Sequence, residues 1–149
     1  MLTFGLETPR DLLEKLKRDA GLLDQEVTSD RFFNFVITGY SLIDWIKNSA
    51  SVPATVRKAV EAMHNDHGIK ICGDIATASK HFMLDRRKPI TSSAESRQGS
   101  GHGRFGKGGY GIGEQSIQIA LNDGSSLSCL ELVKNVIDAW ETFFHSHRL

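Results

Sequence analysis

The sequence SDRFFNFVITGYSLIDWIKN, residues 29–48, has an apolar side chain at almost every third or fourth position. That spacing is typical of a helix with one side turned toward a core. Further apolar residues widen the stripe, so this helix is expected to pack against neighbours on several sides. We therefore predict a central helix, in which Gly39 is a candidate for a close helix crossing.

Capping patterns predict further helices around it. The sequence Thr-Pro-Arg-Asp at residues 8–11 combines a capping hydroxyl, a proline and an acid for the first turn of a helix. Pro53 begins a third helix, residues 65–68 form its terminal turn, and a fourth helix follows over residues 69–84. The sequence Ser-Cys-Leu-Glu at residues 128–131 is typical of a capping box and begins the last helix. Because the connections are short, we predict a mainly α fold, a bundle of about five helices.

The chain changes character between the fourth and the last helix. Residues 85–115 are rich in serine and then in glycine, with eight glycines among residues 99–113. A long, mobile, basic loop or a glycine-rich hairpin tip is expected there. Alternating residues 116–121, the Asn-Asp-Gly turn at 122–124 and a returning strand at 125–128 predict a β-hairpin that lies against the helices. We therefore expect a single helical domain over residues 1–149.

The charge distribution is uneven although the totals balance. Lys plus Arg and Asp plus Glu both number 18, so no net charge draws the whole chain toward nucleic acid or membrane. Residues 86–107 nevertheless hold six basic residues against the single acid Glu95. The N-terminus lacks a signal-peptide pattern, and the longest apolar stretch is too short to span a bilayer. These features favour a cytoplasmic protein that does not contact membranes.

The fourth helix carries the candidate catalytic residues Asp74, Lys80 and His81. Asp74 and His81 are seven residues apart and therefore lie on nearly the same side of a helix, about 10 Å apart along its axis. A carboxylate on the same face as an imidazole can orient the ring for proton transfer. The alternative interpretation is structural, with Lys70, Asp74, Thr77 and His81 forming only the solvated face of an amphipathic helix.

The sequence ICGDIATASKHF at residues 71–82 resembles the histidine-bearing helix of HEPN (higher eukaryotes and prokaryotes nucleotide-binding) domains. It is most similar to small uncharacterised bacterial relatives with a Lys-His pair at the end of that helix. The resemblance implies a helical bundle, often a homodimer, of a class that includes metal-independent ribonucleases of toxin–antitoxin and antiphage defence systems. Asp74 matches the polar residue of the family's motif and His81 matches its histidine.

The chain departs from this motif at Gly73, which stands where the family has arginine, and in its longer spacing to His81. The resemblance therefore implies an RNA-binding protein that is catalytically degenerate. In an active ribonuclease, which remains an alternative, His81 would take the proton from a ribose 2′-hydroxyl. Lys80 or an arginine of the glycine-rich segment would offset the phosphate charge, and Asp74 would position one of these cations.

The glycine-rich segment contains candidate nucleic-acid-binding residues. Cations attract phosphates and aromatic rings stack on bases, so these side chains could hold single-stranded nucleic acid. The residues are Arg97, Arg104, Phe105, Lys107 and Tyr110. The alternative is a solvated linker whose charge only maintains solubility. The glycine spacing at residues 101–106 also fits a dinucleotide-binding pattern, but no apolar strand precedes it and no helix follows, so we predict no cofactor.

The remaining histidines, the cysteines and the apolar surfaces suggest further interpretations. His64 and His67 could ligate zinc from one helical face, but no second pair at a diagnostic spacing accompanies them, so no metal site is predicted. Cys72 and Cys129 lie within apolar patterns typical of buried, free cysteines. A non-catalytic adaptor that binds a protein partner or a second copy through the second helix or the hairpin edge is a further interpretation.

Overall fold

The computed structural model describes residues 4–81, 89–97 and 116–149, and it confirms the mainly α fold. Five α-helices and a three-stranded antiparallel sheet make up these ranges. The helices are α1 (Pro9–Gln25), α2 (Ser29–Asn48), α3 (Ala54–Ala59), α4 (His67–His81) and α5 (Cys129–His147). A 3-10 helix, Val60–Asn65, follows α3, and the strands are β1 (Thr91–Arg97), β2 (Ser116–Leu121) and β3 (Ser126–Ser128).

The predicted caps set the starts of α1 and α5. The Thr8 hydroxyl accepts a hydrogen bond from the Asp11 amide at 3.1 Å, and the Asp11 carboxylate accepts from the Thr8 amide at 3.0 Å. Hydrogen bonds donated by the Glu7 and Thr8 amides lower the pKa of Asp11, because they stabilise its charged form. The Ser128 hydroxyl accepts from the Glu131 amide at 3.1 Å, so α5 begins where the sequence predicts.

Helix α2 lies at the centre of the core, and other helices approach it closely at Gly39. A methyl group added at Gly39 would lie 3.3 Å from Val136, 3.6 Å from Leu16 and 3.7 Å from Cys72. Helices α1, α4 and α5 therefore all meet α2 near this glycine. The indole of Trp140 on α5 also donates a hydrogen bond to the Gly39 carbonyl at 2.9 Å. The predicted close crossing is confirmed.

Helix α4 begins two residues earlier than the sequence predicts. Asp66 ends the preceding 3-10 helix, with its amide bonded to the Met63 carbonyl at 3.1 Å. Its side chain also accepts from the Ile69 amide at 3.1 Å, so Asp66 caps α4 as well. Gly68 then lies in the first turn of α4, where an added methyl group would be 3.1 Å from Val136. The expected terminal turn is confirmed at residues 65–66 and is wrong for residues 67–68, which belong to α4. At Gly68 the absence of a side chain allows close packing on α5.

The predicted hairpin is β2 and β3, joined by a turn in which Gly124 has a φ of 90°. Strand β1 pairs antiparallel with β2 and gives the order β1-β2-β3. The expectation of a loop starting at residue 85 is therefore wrong for Thr91–Arg97, whose polar sequence lacks alternation but whose backbone pairs along β2. Residues 98–115, which connect β1 to β2 in the sequence, lie outside the described residues.

Candidate functional site at the junction of helix α4 and strand β1

Asp74 joins helix α4 to the start of strand β1. Its side chain is completely buried, and its Oδ2 atom accepts hydrogen bonds from the Ile90 amide at 2.9 Å and the Thr91 amide at 3.1 Å. A carboxylate is retained in a protein interior only where such polar contacts replace water. One oxygen of Asp74 therefore holds two consecutive amides, and we call this arrangement the Asp74 clamp.

Asn122, in the turn after β2, holds the same segment from the other side. Its side chain donates to the Pro89 carbonyl at 2.8 Å, and its amide donates to the Ile90 carbonyl at 2.9 Å. Residues 89–91 are thus fixed by contacts with both α4 and the hairpin. Sequence reasoning missed Asn122 as an anchor, because the Asn-Asp-Gly pattern predicts only a turn.

The Asp74 clamp bears on the structural interpretation of α4, in which four polar residues form a solvated helix face. Lys70 and Thr77 are half-buried and Asp74 has no exposed surface, so the solvated-face interpretation is wrong for Asp74. Two turns of helix separate it from His81, the last residue of α4, while its carboxylate contacts the strand. The side chains of Lys80 and His81 lie outside the described residues.

Gly73, next to Asp74, is buried within α4. An arginine at this place would have to bury its guanidinium, which is costly without a paired anion. The backbone at residue 73 is therefore packed against the core.

The candidate nucleic-acid-binding residues follow β1. Arg97 ends the strand, with its backbone opposite Ser116 of β2. The side chain of Arg97 and all of Arg104, Phe105, Lys107 and Tyr110 lie outside the described residues. The structure thus defines where this basic segment leaves the sheet, at Arg97, and where the chain re-enters it, at Ser116.

Neither cysteine is a nucleophile. Cys72 and Cys129 are free and buried, as the sequence indicates. Burial raises the pKa of Cys72 above its ordinary value, and it raises the pKa of Cys129 to about 12. At neutral pH both therefore remain thiols, whereas nucleophilic attack and metal ligation require the thiolate.

The two histidines considered as zinc ligands lie in different surroundings. The His64 ring lies 3.6 Å from the Glu61 carboxylate and packs edge-on against Tyr40, while His67 is exposed at the start of α4. Across residues 4–81, 89–97 and 116–149 there is no group of three His, Cys, Asp or Glu side chains placed to hold a metal ion. No helix in these ranges combines the length and apolarity of a bilayer span.

Comparisons of the chain with protein-family models, with curated proteins and with solved structures found no match.

Proposed function

We propose that this chain binds single-stranded RNA without cleaving it, through the basic residues that flank strand β1 in the sequence. The observation that carries this proposal is the Asp74 clamp, because it fixes the start of the strand that separates two basic segments. Arg86, Arg87 and Lys88 directly precede the clamped residues. In this proposal the helical bundle supports the basic, glycine-rich segment that connects β1 to β2 in the sequence.

The length of β1 favours RNA binding along an extended surface with several contacts. The strand has seven residues and extends for roughly 20 Å, since each residue of a strand advances the chain by about 3.3 Å. Arg97 stands at its far end, followed in sequence by Arg104 and Lys107 with Phe105 and Tyr110. Anchoring the strand reduces the conformational entropy that is lost when a ligand binds to the flanking segments. Cations and aromatic rings are the groups that single-stranded nucleic acid prefers.

The same clamp argues against the ribonuclease alternative. A carboxylate that positions a histidine or a phosphate-binding group accepts a hydrogen bond from that group. The Oδ2 atom of Asp74 instead accepts from the backbone amides of Ile90 and Thr91, and His81 is two helical turns away. Gly73 provides no positive charge for a transition-state phosphate. These two observations support the catalytically degenerate form of the proposal.

The proposal is tested by replacing Arg104 and Lys107 with glutamine and measuring binding of a labelled short oligouridine by fluorescence anisotropy. We expect weaker binding at low salt. The slope of log K against log salt concentration should shrink by about 0.7 for each phosphate that the variant no longer neutralises. The matched control replaces Lys58 and Lys134, two exposed lysines on α3 and α5, and removes the same charge.

Two results would contradict the proposal. One is an equal loss of affinity in the control, which would make the interaction a general effect of charge. The other is cleavage of the oligouridine by the unmodified chain that disappears in His81→Ala, which would restore the ribonuclease alternative.

The adaptor interpretation is supported by one separate observation, the outer face of α2. Phe33 has 45% of its surface exposed and Ile37, one turn later, is half-buried. If a second copy covers this face, light scattering should give a dimer mass that Phe33→Ser converts to the monomer mass. The exposed residue Asn34 provides a control, since Asn34→Ser should leave the mass unchanged. A monomer mass for the unmodified chain at high concentration would exclude this homodimer.

A further inference from the structure

A groove between the start of α1 and the end of α5 has three cationic side chains among its lining residues. Its volume is about 660 Å³, which lies in the range of small-molecule sites. Arg10, Lys17 and Arg148 line it together with His145, and Glu141 is the carboxylate among the lining side chains. Leu13 and Phe144 provide an apolar floor. The groove therefore combines positive charge at its rim with apolar surface below.

Arg10 is held in a defined position in this groove. Its guanidinium carbon lies 5.1 Å from the centre of the Phe144 ring, and one of its nitrogens donates to the backbone oxygen of Leu149. A second nitrogen lies 3.6 Å from the Glu14 carboxylate. Cation–π stacking and hydrogen bonding reduce the entropy that an arginine loses when it binds a ligand.

Lys17 and Arg148 differ in how they are engaged. Lys17 pairs with Glu141 at 3.2 Å and Glu14 at 3.6 Å, so much of its charge is already offset. The Arg148 guanidinium makes no ion pair within the described part of the chain. Arg148 and the adjacent His145 are therefore the groups most available to a ligand.

The left-handed backbone at Arg148 is a second observation about this groove, independent of its charges. Its φ of 55° and ψ of 42° place it in the left-handed region, and no other non-glycine residue in the described ranges has a positive φ. Glycine or asparagine is favoured at this position after a helix. The helix dipole favours a cation near this end, but it does not require one at the left-handed residue itself. Arginine therefore stands here against the preference of the backbone, and its side chain lines the groove.

We propose that this groove binds a phosphate group, with Arg148 and His145 as the principal contacts and Arg10 as a pre-positioned third. Guanidinium groups match phosphate oxygens in geometry and charge, and several converging cations suit a doubly charged phosphomonoester. Helix α5 has 19 residues and is about 27 Å long. Because β3 directly precedes its first residue, the groove and the sheet lie at opposite ends of α5. The site is thus separate from the proposed RNA-binding segment.

The test is titration of the full chain with AMP and with adenosine at low ionic strength, followed by amide chemical shifts. AMP should shift amides of residues 10–17 and 141–149 in a saturable manner, and adenosine should not. An oligonucleotide without a terminal phosphate separates the two sources of phosphate. Shifts at the same amides would assign the groove to nucleic-acid backbone, and their absence would assign it to a free phosphomonoester.

The variant Arg148→Gly removes the guanidinium while relieving the left-handed backbone, so it is expected to fold with equal or greater thermal stability. Its affinity for AMP should fall about tenfold, the loss typical of one charge-assisted hydrogen bond. Lys134→Ala, which removes an exposed cation from the same helix, should change the affinity less than twofold. Equal losses in both variants, shifts by adenosine equal to those by AMP, or no saturable shift would overturn the proposal.

Discussion

Replacing Asp74 with alanine is expected to lower the free energy of unfolding by about 3 kcal/mol, because two amides lose their charged acceptor. Thr91 is buried and Ile90 is half-buried, so at least one amide cannot regain a hydrogen bond from water. The side chain has no exposed surface, so its removal also leaves a small cavity. Both effects act on the same junction between α4 and β1.

Urea denaturation measures the loss, and hydrogen exchange locates it. The Ile90 and Thr91 amides should exchange faster in Asp74→Ala even under conditions where the helices remain protected. Asp74→Asn should be intermediate, because an amide oxygen still accepts hydrogen bonds but lacks the charge. Asp138→Ala on the exposed face of α5 should change stability by less than about 0.5 kcal/mol. If Asp74→Ala were no less stable than Asp138→Ala, the Asp74 clamp would have no energetic role.

Replacing Trp140 with alanine is expected to cost about 4 kcal/mol, the usual range for removing a large aromatic side chain from a core. Trp140 is completely buried and packs edge-on against Phe143 and Phe144, with ring centres at 5.9 and 6.3 Å. Its indole also bonds the Gly39 carbonyl at 2.9 Å, where four helices meet. Because domains of this size are stable by about 5–15 kcal/mol, this one change removes a large share.

Trp140→Phe separates packing from the hydrogen bond. It retains an aromatic ring and should cost about 1–2 kcal/mol, less than the alanine variant. Thr142→Ala, on the exposed side of the same helix, serves as the control. Trp45 remains in every variant as a fluorescent reporter of unfolding. A cost below about 1 kcal/mol for Trp140→Ala would show that the close crossing at Gly39 does not depend on the indole.

The helices were predictable because their determinants are local. The apolar spacing of residues 29–48 predicts α2, and Thr8 and Ser128 set the starts of α1 and α5 through hydrogen bonds to amides three residues away. The Asn-Asp-Gly turn likewise predicts the β2–β3 hairpin from neighbouring residues. Strand β1 has no such local determinant, since its polar sequence becomes a strand by pairing with β2.

For the candidate site, the sequence by itself determined which residues share a face of α4 and where the basic residues are concentrated. It also shows that residue 73, beside Asp74, is glycine and has no charge. Only the tertiary structure decided that Asp74 is buried, because its partners Ile90 and Thr91 are 16 and 17 residues away. Only the tertiary structure likewise places Arg10 and Arg148 at one groove, because they belong to the α1 and α5 ends of the chain. Periodicity describes the direction of a side chain on its own helix, whereas burial and charge clusters depend on which other elements pack there.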